Sequence, residues 1–110
     1  WLTSIKIENS HHPSGEPVQQ VTDRGRTAVF NCTVDGFPVL NVYWLKNGQI
    51  VVPSSRVSPG TGSLTIRGVQ VADRGQYQCV AGNEGEESQA AASLMLGGEA
   101  DIIMILEKWS

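Results

Sequence analysis

Short segments in which apolar and polar residues alternate recur along the chain, separated by glycine, proline, asparagine and serine. Alternation with a period of two is typical of a β-strand with one buried face, and no long helical periodicity competes with it. The pattern predicts an all-β chain folded as a two-sheet antiparallel sandwich. The predicted strands cover residues 2–8, 18–21, 27–34, 41–46, 49–52, 56–58, 63–67, 75–81 and 88–96.

One face of each strand collects the apolar residues and predicts the core. Residues 9–17 contain two prolines and a glycine, so we expect the first strand to break there and to move from one sheet to the other. The residues predicted to face inward are Ala28, Phe30, Cys32, Val34, Val42, Trp44, Leu64, Ile66, Tyr77, Cys79, Ala81, Ala92, Leu94 and Leu96.

The chain has two cysteines, Cys32 and Cys79, far apart in sequence and each inside a predicted strand. This spacing does not match a metal-ligand pair, so a single disulfide between the two sheets is predicted. A closed loop of this size stabilises a domain by about 4 kcal/mol in the chain-entropy model, and the bond persists in oxidising compartments. The alternative is a pair of reduced core cysteines in an intracellular sandwich.

Size and charge narrow the classes of partner. The 110 residues fit one domain with one core, and their net charge of −3 leaves no basic field to hold a nucleic-acid backbone. The apolar run at 102–106 is too short to cross a membrane. The chain begins directly in a predicted strand, so we expect any targeting segment to lie upstream or to have been removed.

A bulky ring is predicted beside the disulfide. Trp44 follows Cys32 by twelve residues, on the next predicted strand, and its inward position lets it pack on the Cys32–Cys79 bond. Leu64 adds an aliphatic side chain to the same core.

The segment 73–79, with the sequence DRGQYQC, predicts the corner that leads into the strand of Cys79. Tyr77 stands two residues before that cysteine, where its hydroxyl can return to the backbone as a tyrosine corner. We expect Asp73 to form a salt bridge with Arg56 and thereby close one end of the sandwich. Gly75 is expected to permit the close approach of these two residues.

Together these residues resemble the immunoglobulin superfamily, and their spacing is similar to its intermediate (I-set) branch over residues 2–97. Segments 27–32, 42–48 and 94–98 are similar to domains of the Down syndrome cell adhesion molecule family, particularly its arthropod members. The resemblance implies that the chain is part of a multi-domain receptor that binds copies of itself. In arthropods, alternative splicing gives such receptors isoform-specific recognition. Contactin-like, hemolin-like and muscle-filament domains share much of the same frame.

The tripeptide Asn31-Cys32-Thr33 matches the acceptor motif for N-glycosylation. Because Cys32 faces inward, alternation turns the Asn31 side chain outward, where a glycan has room to attach. The alternative is a chance tripeptide on a strand.

Metal-binding and catalytic sites are not predicted. His11 and His12 are adjacent, so their side chains diverge, and no acidic or cysteine cluster completes a ligand set. Glu84, Glu86 and Glu87 are explained equally well as solubilising residues of a glycine-rich hairpin. The sequence offers no nucleophile with a neighbouring base and no phosphate loop, so we predict neither enzyme activity nor a cofactor.

Two outward faces are candidate binding surfaces. Large apolar residues are predicted on the outer side of strands 41–46, 75–81 and 88–96, as in protein interfaces. The interface candidates are Tyr43, Leu45, Val80 and Met95. The opposite sheet carries Val29, Asn31, Thr65 and Arg67, and a glycan on Asn31 would obstruct it. The alternative is that isolated exposed apolar residues are ordinary on any surface.

Residues 99–110, EADIIMILEKWS, lie beyond the predicted sandwich at 1–98 and depart from the family pattern. They are interpreted as a linker into a following domain, an isoform-specific or artificial tail, or an added strand that pairs with a sheet edge. The run 102–106 is apolar and free of proline, which favours strand pairing.

The sequence thus predicts an extracellular I-set domain of a cell-surface or secreted receptor. We expect it to act in adhesion and recognition by binding a second copy of itself and to have no small-molecule substrate. Any membrane attachment is expected only through other parts of the parent chain. The alternatives are a structural spacer in a longer ectodomain and a soluble immune-type receptor for foreign surfaces.

Overall fold

The computed structural model describes residues 2–8, 18–36, 41–83 and 85–97. Its strands are β1 (Leu2–Glu8), β2 (Val18–Thr22), β3 (Ala28–Gly36), β4 (Asn41–Lys46), β5 (Gln49–Ile50), β6 (Val57–Pro59), β7 (Ser63–Ile66), β8 (Gly75–Asn83) and β9 (Glu86–Leu96). A 3-10 turn at Val71–Asp73, which the alternation pattern did not predict, leads into β8.

The strands form two sheets, ordered β1-β3-β7-β6 and β2-β9-β8-β4-β5. The predicted all-β sandwich is confirmed, and neighbouring described strands pair antiparallel except for β2 and β9. Those two run parallel, with Val18 opposite Ala92 and Thr22 opposite Leu96. The predicted change of sheet is confirmed as well, because β1 pairs with β3 whereas β2 pairs with β9.

The core lies between the sheets and contains the inward residues of both. Cys32 of β3 is bonded to Cys79 of β8, so the predicted disulfide joins the two sheets. The rings of Phe30 and Tyr77 pack with their centroids 5.4 Å apart. Buried residues of this core are Ile7, Ala28, Phe30, Cys32, Trp44, Leu64, Ile66, Val69, Tyr77, Cys79, Ala92, Leu94 and Leu96. Val34 and Val42, predicted to be inward, pack against it half-buried.

Turns and strand ends account for most differences from the predicted bounds. Asn47 and Gly48 connect β4 to β5 with φ values of 49° and 84°, which is the left-handed backbone that an Asn-Gly turn supplies. β8 and β9 both extend further than predicted, because they remain paired to Asn83 and Glu86 at the hairpin end. The pairing of β5 with β4, in contrast, stops at Ile50.

Candidate functional site

The corner before β8 holds one end of the sandwich together. The Tyr77 hydroxyl donates a 2.6 Å hydrogen bond to the backbone oxygen of Asp73. Asp73 in turn accepts from the Gln70 backbone N–H at 2.8 Å. Arg56 donates to both carboxylate oxygens of Asp73, at 3.0 and 3.2 Å. The corner therefore connects the 3-10 turn and β8 of one sheet to the segment before β6 of the other.

Electrostatics at this corner favour a charged Asp73. Burial alone would raise the pKa of this carboxyl, but the hydrogen bonds from Arg56 and Gln70 and the positive charges of Arg56 and Lys46 hold it below the ordinary value. The hydrogen bond to Asp73 raises the pKa of Arg56 against the opposing effect of desolvation. Burial raises the pKa of Tyr77 as well, so its hydroxyl stays protonated as a donor.

Gly75 makes its close approach to Asn47, not between Arg56 and Asp73 as predicted. Its φ is +148°, and a Cβ at this position would lie 2.8 Å from both the Nδ2 and Oδ1 atoms of Asn47. The Asn47 side chain fills that space because its Oδ1 accepts a hydrogen bond from the Gln76 backbone N–H at 3.0 Å. The absence of a side chain at Gly75 thus allows the β4–β5 turn to pack against the start of β8.

Trp44 connects the two sheets independently of the disulfide. The residue is directly paired with Cys79 across β4 and β8 and is only 1% exposed. Its Nε1 donates a 2.9 Å hydrogen bond to the backbone oxygen of Gly60, in the turn between β6 and β7. A buried ring with a satisfied N–H is thus fixed in position, and the β4 backbone with it.

The outer face of the five-stranded sheet is almost free of charge. Because Trp44, Cys79, Ala92 and Leu94 face inward, the residues next to them along the strands face outward. The outward residues are Gln19, Val21, Asn41, Tyr43, Leu45, Ile50, Gln76, Gln78, Val80, Gly82, Glu87, Gln89, Ala91, Ser93 and Met95. Among these positions of the described strands, Glu87 has the one ionised side chain, and it accepts a 3.3 Å hydrogen bond from Tyr43.

Of the four interface candidates, Val80 is misplaced. It lies on the outer side of β8 but is only 3% exposed, so it presents no contact area. Val80 occupies a central strand, directly between Tyr43 of β4 and Gln89 of β9, and these longer side chains flank it. The expectation of an exposed valine at this position was wrong.

The other three candidates are half-buried and do not form one patch. Tyr43 and Leu45 stand two residues apart on the outer face of β4. Met95 lies near the end of β9 opposite Val21 of β2, and six residues, or roughly 20 Å of strand, separate it from the level of Tyr43. Gln76, Gln78, Ala91 and Ser93 occupy the face between them.

Sequence reasoning missed the apolar residues at the β5 edge. Ile50 pairs directly with Leu45 and is 66% exposed, and Val52 beyond it is 75% exposed. Alternation within the predicted strand 49–52 already placed these two on one side, which was the available signal. Leu45, Ile50 and Val52 are called the β5-edge patch below.

A cleft of about 220 Å³ lies beside this patch and is lined by Lys46, Gln49, Ile50, Val51, Val52, Val57, Asp73 and Tyr77. Sites for drug-sized ligands usually measure roughly 300–1,000 Å³. This cleft is therefore smaller than a usual site for a drug-sized ligand.

The outer face of the four-stranded sheet has a different character. Asn31 is exposed on β3, opposite Ser63 of β7, and Val29 beside it is 37% exposed opposite Thr65. Arg67, just past β7, is exposed and donates a 2.9 Å hydrogen bond to the Ser58 hydroxyl. The glycosylation motif and the binding candidates are thus on opposite sides of the sandwich.

The remaining predictions concern other kinds of site. In the described ranges, no three His, Cys, Asp or Glu residues come together as a metal site, and Glu86 and Glu87 are exposed. His11, His12, Glu84 and residues 99–110 lie outside those ranges. Within the same ranges, no helix has the length and apolar character that crossing a membrane requires.

Comparison with known proteins agrees with this architecture. The family model for the immunoglobulin I-set domain matches residues 13–96. The chain is 40% identical over 86 residues to "Cell adhesion molecule Dscam1" of Drosophila melanogaster, covering 78% of this chain and 4% of that protein. It is 47% identical over 68 residues to "Netrin receptor DCC" of Homo sapiens, covering 61% of this chain and 5% of that protein.

Solved structures give the same result. In a structure described as "Structural basis for Dscam isoform specificity", the similar region has a TM-score of 0.68 and 34% identity, covering 84% of this chain and 20% of that one. The resemblance to the Down syndrome cell adhesion molecule family is thereby confirmed. The chain spans about 4–5% of the length of the two adhesion and guidance proteins above, so it corresponds to a small part of each. By sequence and by structure, this chain belongs to the immunoglobulin superfamily as an I-set domain homologous to those of cell-adhesion receptors.

Proposed function

We propose that this domain is an extracellular recognition module of an adhesion receptor and that it binds a second copy of itself through the outer face of its five-stranded sheet. The disulfide supports the extracellular assignment, because such bonds persist in oxidising compartments. Two of its relatives are named as a cell adhesion molecule and a netrin receptor. Binding of this kind requires no catalytic group and no cofactor.

The nearly uncharged outer face carries the proposal. The chain has a net charge of −3, so a contact between two copies costs least where it brings no like charges together. On this face, Glu87 is the one ionised residue among the outward positions of the described strands, and it stands near the hairpin end. The cores of protein interfaces are depleted in charged residues and enriched in tyrosine and methionine. A neutral face therefore suits a contact between identical, acidic molecules.

The β5-edge patch supplies the apolar part of the proposed contact. Leu45 and Ile50 are neighbours across the β4–β5 pair, and Tyr43 adds a half-buried ring on the same face. The two strongly exposed residues, Ile50 and Val52, have most to gain from burial, since each Å² of apolar surface removed from water contributes about 25 cal/mol. In this proposal the patch takes the place of Val80, which is buried.

Sedimentation equilibrium of the 110-residue chain secreted from N-glycosylating cells tests the proposal, with Leu45→Asp and Ile50→Asp as the disrupting variants. Each places a carboxylate in the proposed contact, so we expect both to shift the molecule to monomer. Val29→Asp is the matched control, because Val29 is an exposed apolar residue on the opposite sheet. Urea unfolding of all three checks that the fold is retained.

A monomer at high concentration, unchanged by either variant, would contradict homophilic binding and favour a spacer role. Dimers that survive both variants would place the contact elsewhere on the molecule. Binding to heterologous or microbial surfaces without self-association would instead identify a soluble receptor.

A further inference from the structure

The glycosylation motif lies in the middle of β3 with both of its defining side chains toward solvent. Asn31 and Thr33 are exposed, whereas Cys32 between them is buried and bonded to Cys79. The sequence contains this Asn-x-Ser/Thr tripeptide once. Glycosylation adds a bulky, solubilising group at the surface, so the folded domain has to leave room for it.

The β7 side of Asn31 leaves space for a sugar although β3 is an inner strand of its sheet. Asn31 is directly opposite Ser63 of β7, whose side chain is short. Val29 occupies the same face two residues earlier and is 37% exposed, next to Thr65. On the β7 side the neighbours of the asparagine are thus small or β-branched, whereas on the β1 side Asn31 is paired with Glu8.

We propose that Asn31 carries an N-linked glycan and that this glycan covers the outer face of the four-stranded sheet. In the transfer, the Asn31 side-chain nitrogen attacks C1 of a lipid-diphosphate-linked oligosaccharide. The N–C1 bond forms, the bond from C1 to the diphosphate oxygen breaks, and the lipid diphosphate leaves. The amide loses one proton to a base of the transferase. The chain supplies the acceptor amide and the threonine that the motif requires.

A glycan over the outer face of the four-stranded sheet would give the two sheets separate roles. The first sugar projects from Asn31 over its neighbours, so the exposed methyl groups of Val29 lie beneath it. A bulky, hydrated glycan excludes a protein partner from the four-stranded sheet and leaves the opposite, neutral face free. This second part rests on the proposed function, whereas the modification itself does not.

Intact-mass measurement of the chain secreted from N-glycosylating cells, before and after treatment with an amidase that removes N-glycans, tests the modification. We expect a glycan mass that the amidase removes, leaving aspartate at position 31. Asn31→Gln and Thr33→Val remove the motif and should abolish this mass, whereas Thr33→Ser preserves the motif and should retain it. A secreted, disulfide-bonded chain with unmodified Asn31 would overturn the proposal.

Sedimentation of the glycosylated chain beside Asn31→Gln tests the assignment of faces. If binding uses the five-stranded sheet, the two proteins self-associate equally. Stronger association of Asn31→Gln would mean that the four-stranded sheet is the binding face, and it would overturn this part while the mass result still stands. If both proteins are monomeric, the proposed function fails, and with it the assignment of faces, independently of the glycan.

Discussion

The Tyr77 hydroxyl and the Asp73 backbone oxygen, 2.6 Å apart, form the hydrogen bond that turns the chain into β8. Both residues are buried, Tyr77 at 2% and Asp73 at 6% exposure, so water does not replace this bond when it is lost. The same tyrosine packs against Phe30 in the core. A polar contact at the corner and an apolar contact between the sheets therefore depend on one side chain.

Tyr77→Phe is expected to destabilise the domain by about 1–3 kcal/mol, because it removes a buried hydrogen bond while keeping the ring. Urea unfolding of the disulfide-bonded protein measures the change. Tyr43→Phe is the control, since its hydroxyl bond to Glu87 is exposed and longer, at 3.3 Å, and we expect little effect. Equal changes for the two variants would show that the corner bond contributes nothing of its own.

Acid should weaken the domain through Asp73. The folded state holds the pKa of this carboxyl below the ordinary value of 3.8, so its contribution is complete above that value and is lost as the pH falls through the lower, folded pKa. Asp73→Asn cannot titrate. We therefore expect the stability gap between wild type and Asp73→Asn to be largest near neutral pH and to shrink below pH 3.8.

Urea unfolding across this acidic range measures the effect. Arg56→Gln provides the complementary control, because it removes the guanidinium that forms the ion pair with the Asp73 carboxylate. In the Arg56→Gln background, Asp73→Asn should change the pH dependence less. A gap between wild type and Asp73→Asn that does not vary with pH would refute the coupling.

Gly75→Ala is expected to cost about 1–3 kcal/mol, the usual range for a residue forced into a disfavoured backbone conformation. Two effects combine here: the φ of +148° and a Cβ placed 2.8 Å from the Asn47 amide. Gly25→Ala separates them, because Gly25 also has a positive φ, +84°, but no atom within 4 Å of its added Cβ. If the cost of Gly75→Ala does not decrease in an Asn47→Gly background, the contact with Asn47 is unimportant.

The alternation of apolar and polar residues predicted the fold because one face of each strand is buried in the core. The inward residues from Ala28 to Leu96 form the core, and their period fixed which sheet face each neighbour occupies. Exposure does not follow from the period alone. Val80 and Ile50 both face outward. Val80 is nevertheless buried, because it lies on a central strand and longer side chains of the neighbouring strands flank it. Ile50 is exposed, because it lies at the end of an edge strand.

The contacts of the corner required three-dimensional information. The sequence around Tyr77 predicted its bond to the backbone because that contact is local. The packing of Asn47 against Gly75 joins two segments distant in sequence, and no local pattern predicts it. The parallel pairing of β2 with β9 was missed for the same reason, since these two strands are also distant in sequence.

That parallel pairing has a mechanical consequence. Since β2 and β9 run in the same direction, tension applied before Val18 and after Leu96 pulls the two strands in opposite directions along their shared axis. Their hydrogen bonds are then loaded together in shear, instead of opening one after another as in a peeled hairpin. Resistance to pulling is a matter of unfolding rate rather than equilibrium stability. We therefore expect the β2–β9 pair to resist a pull along this axis more strongly than a hairpin that peels open.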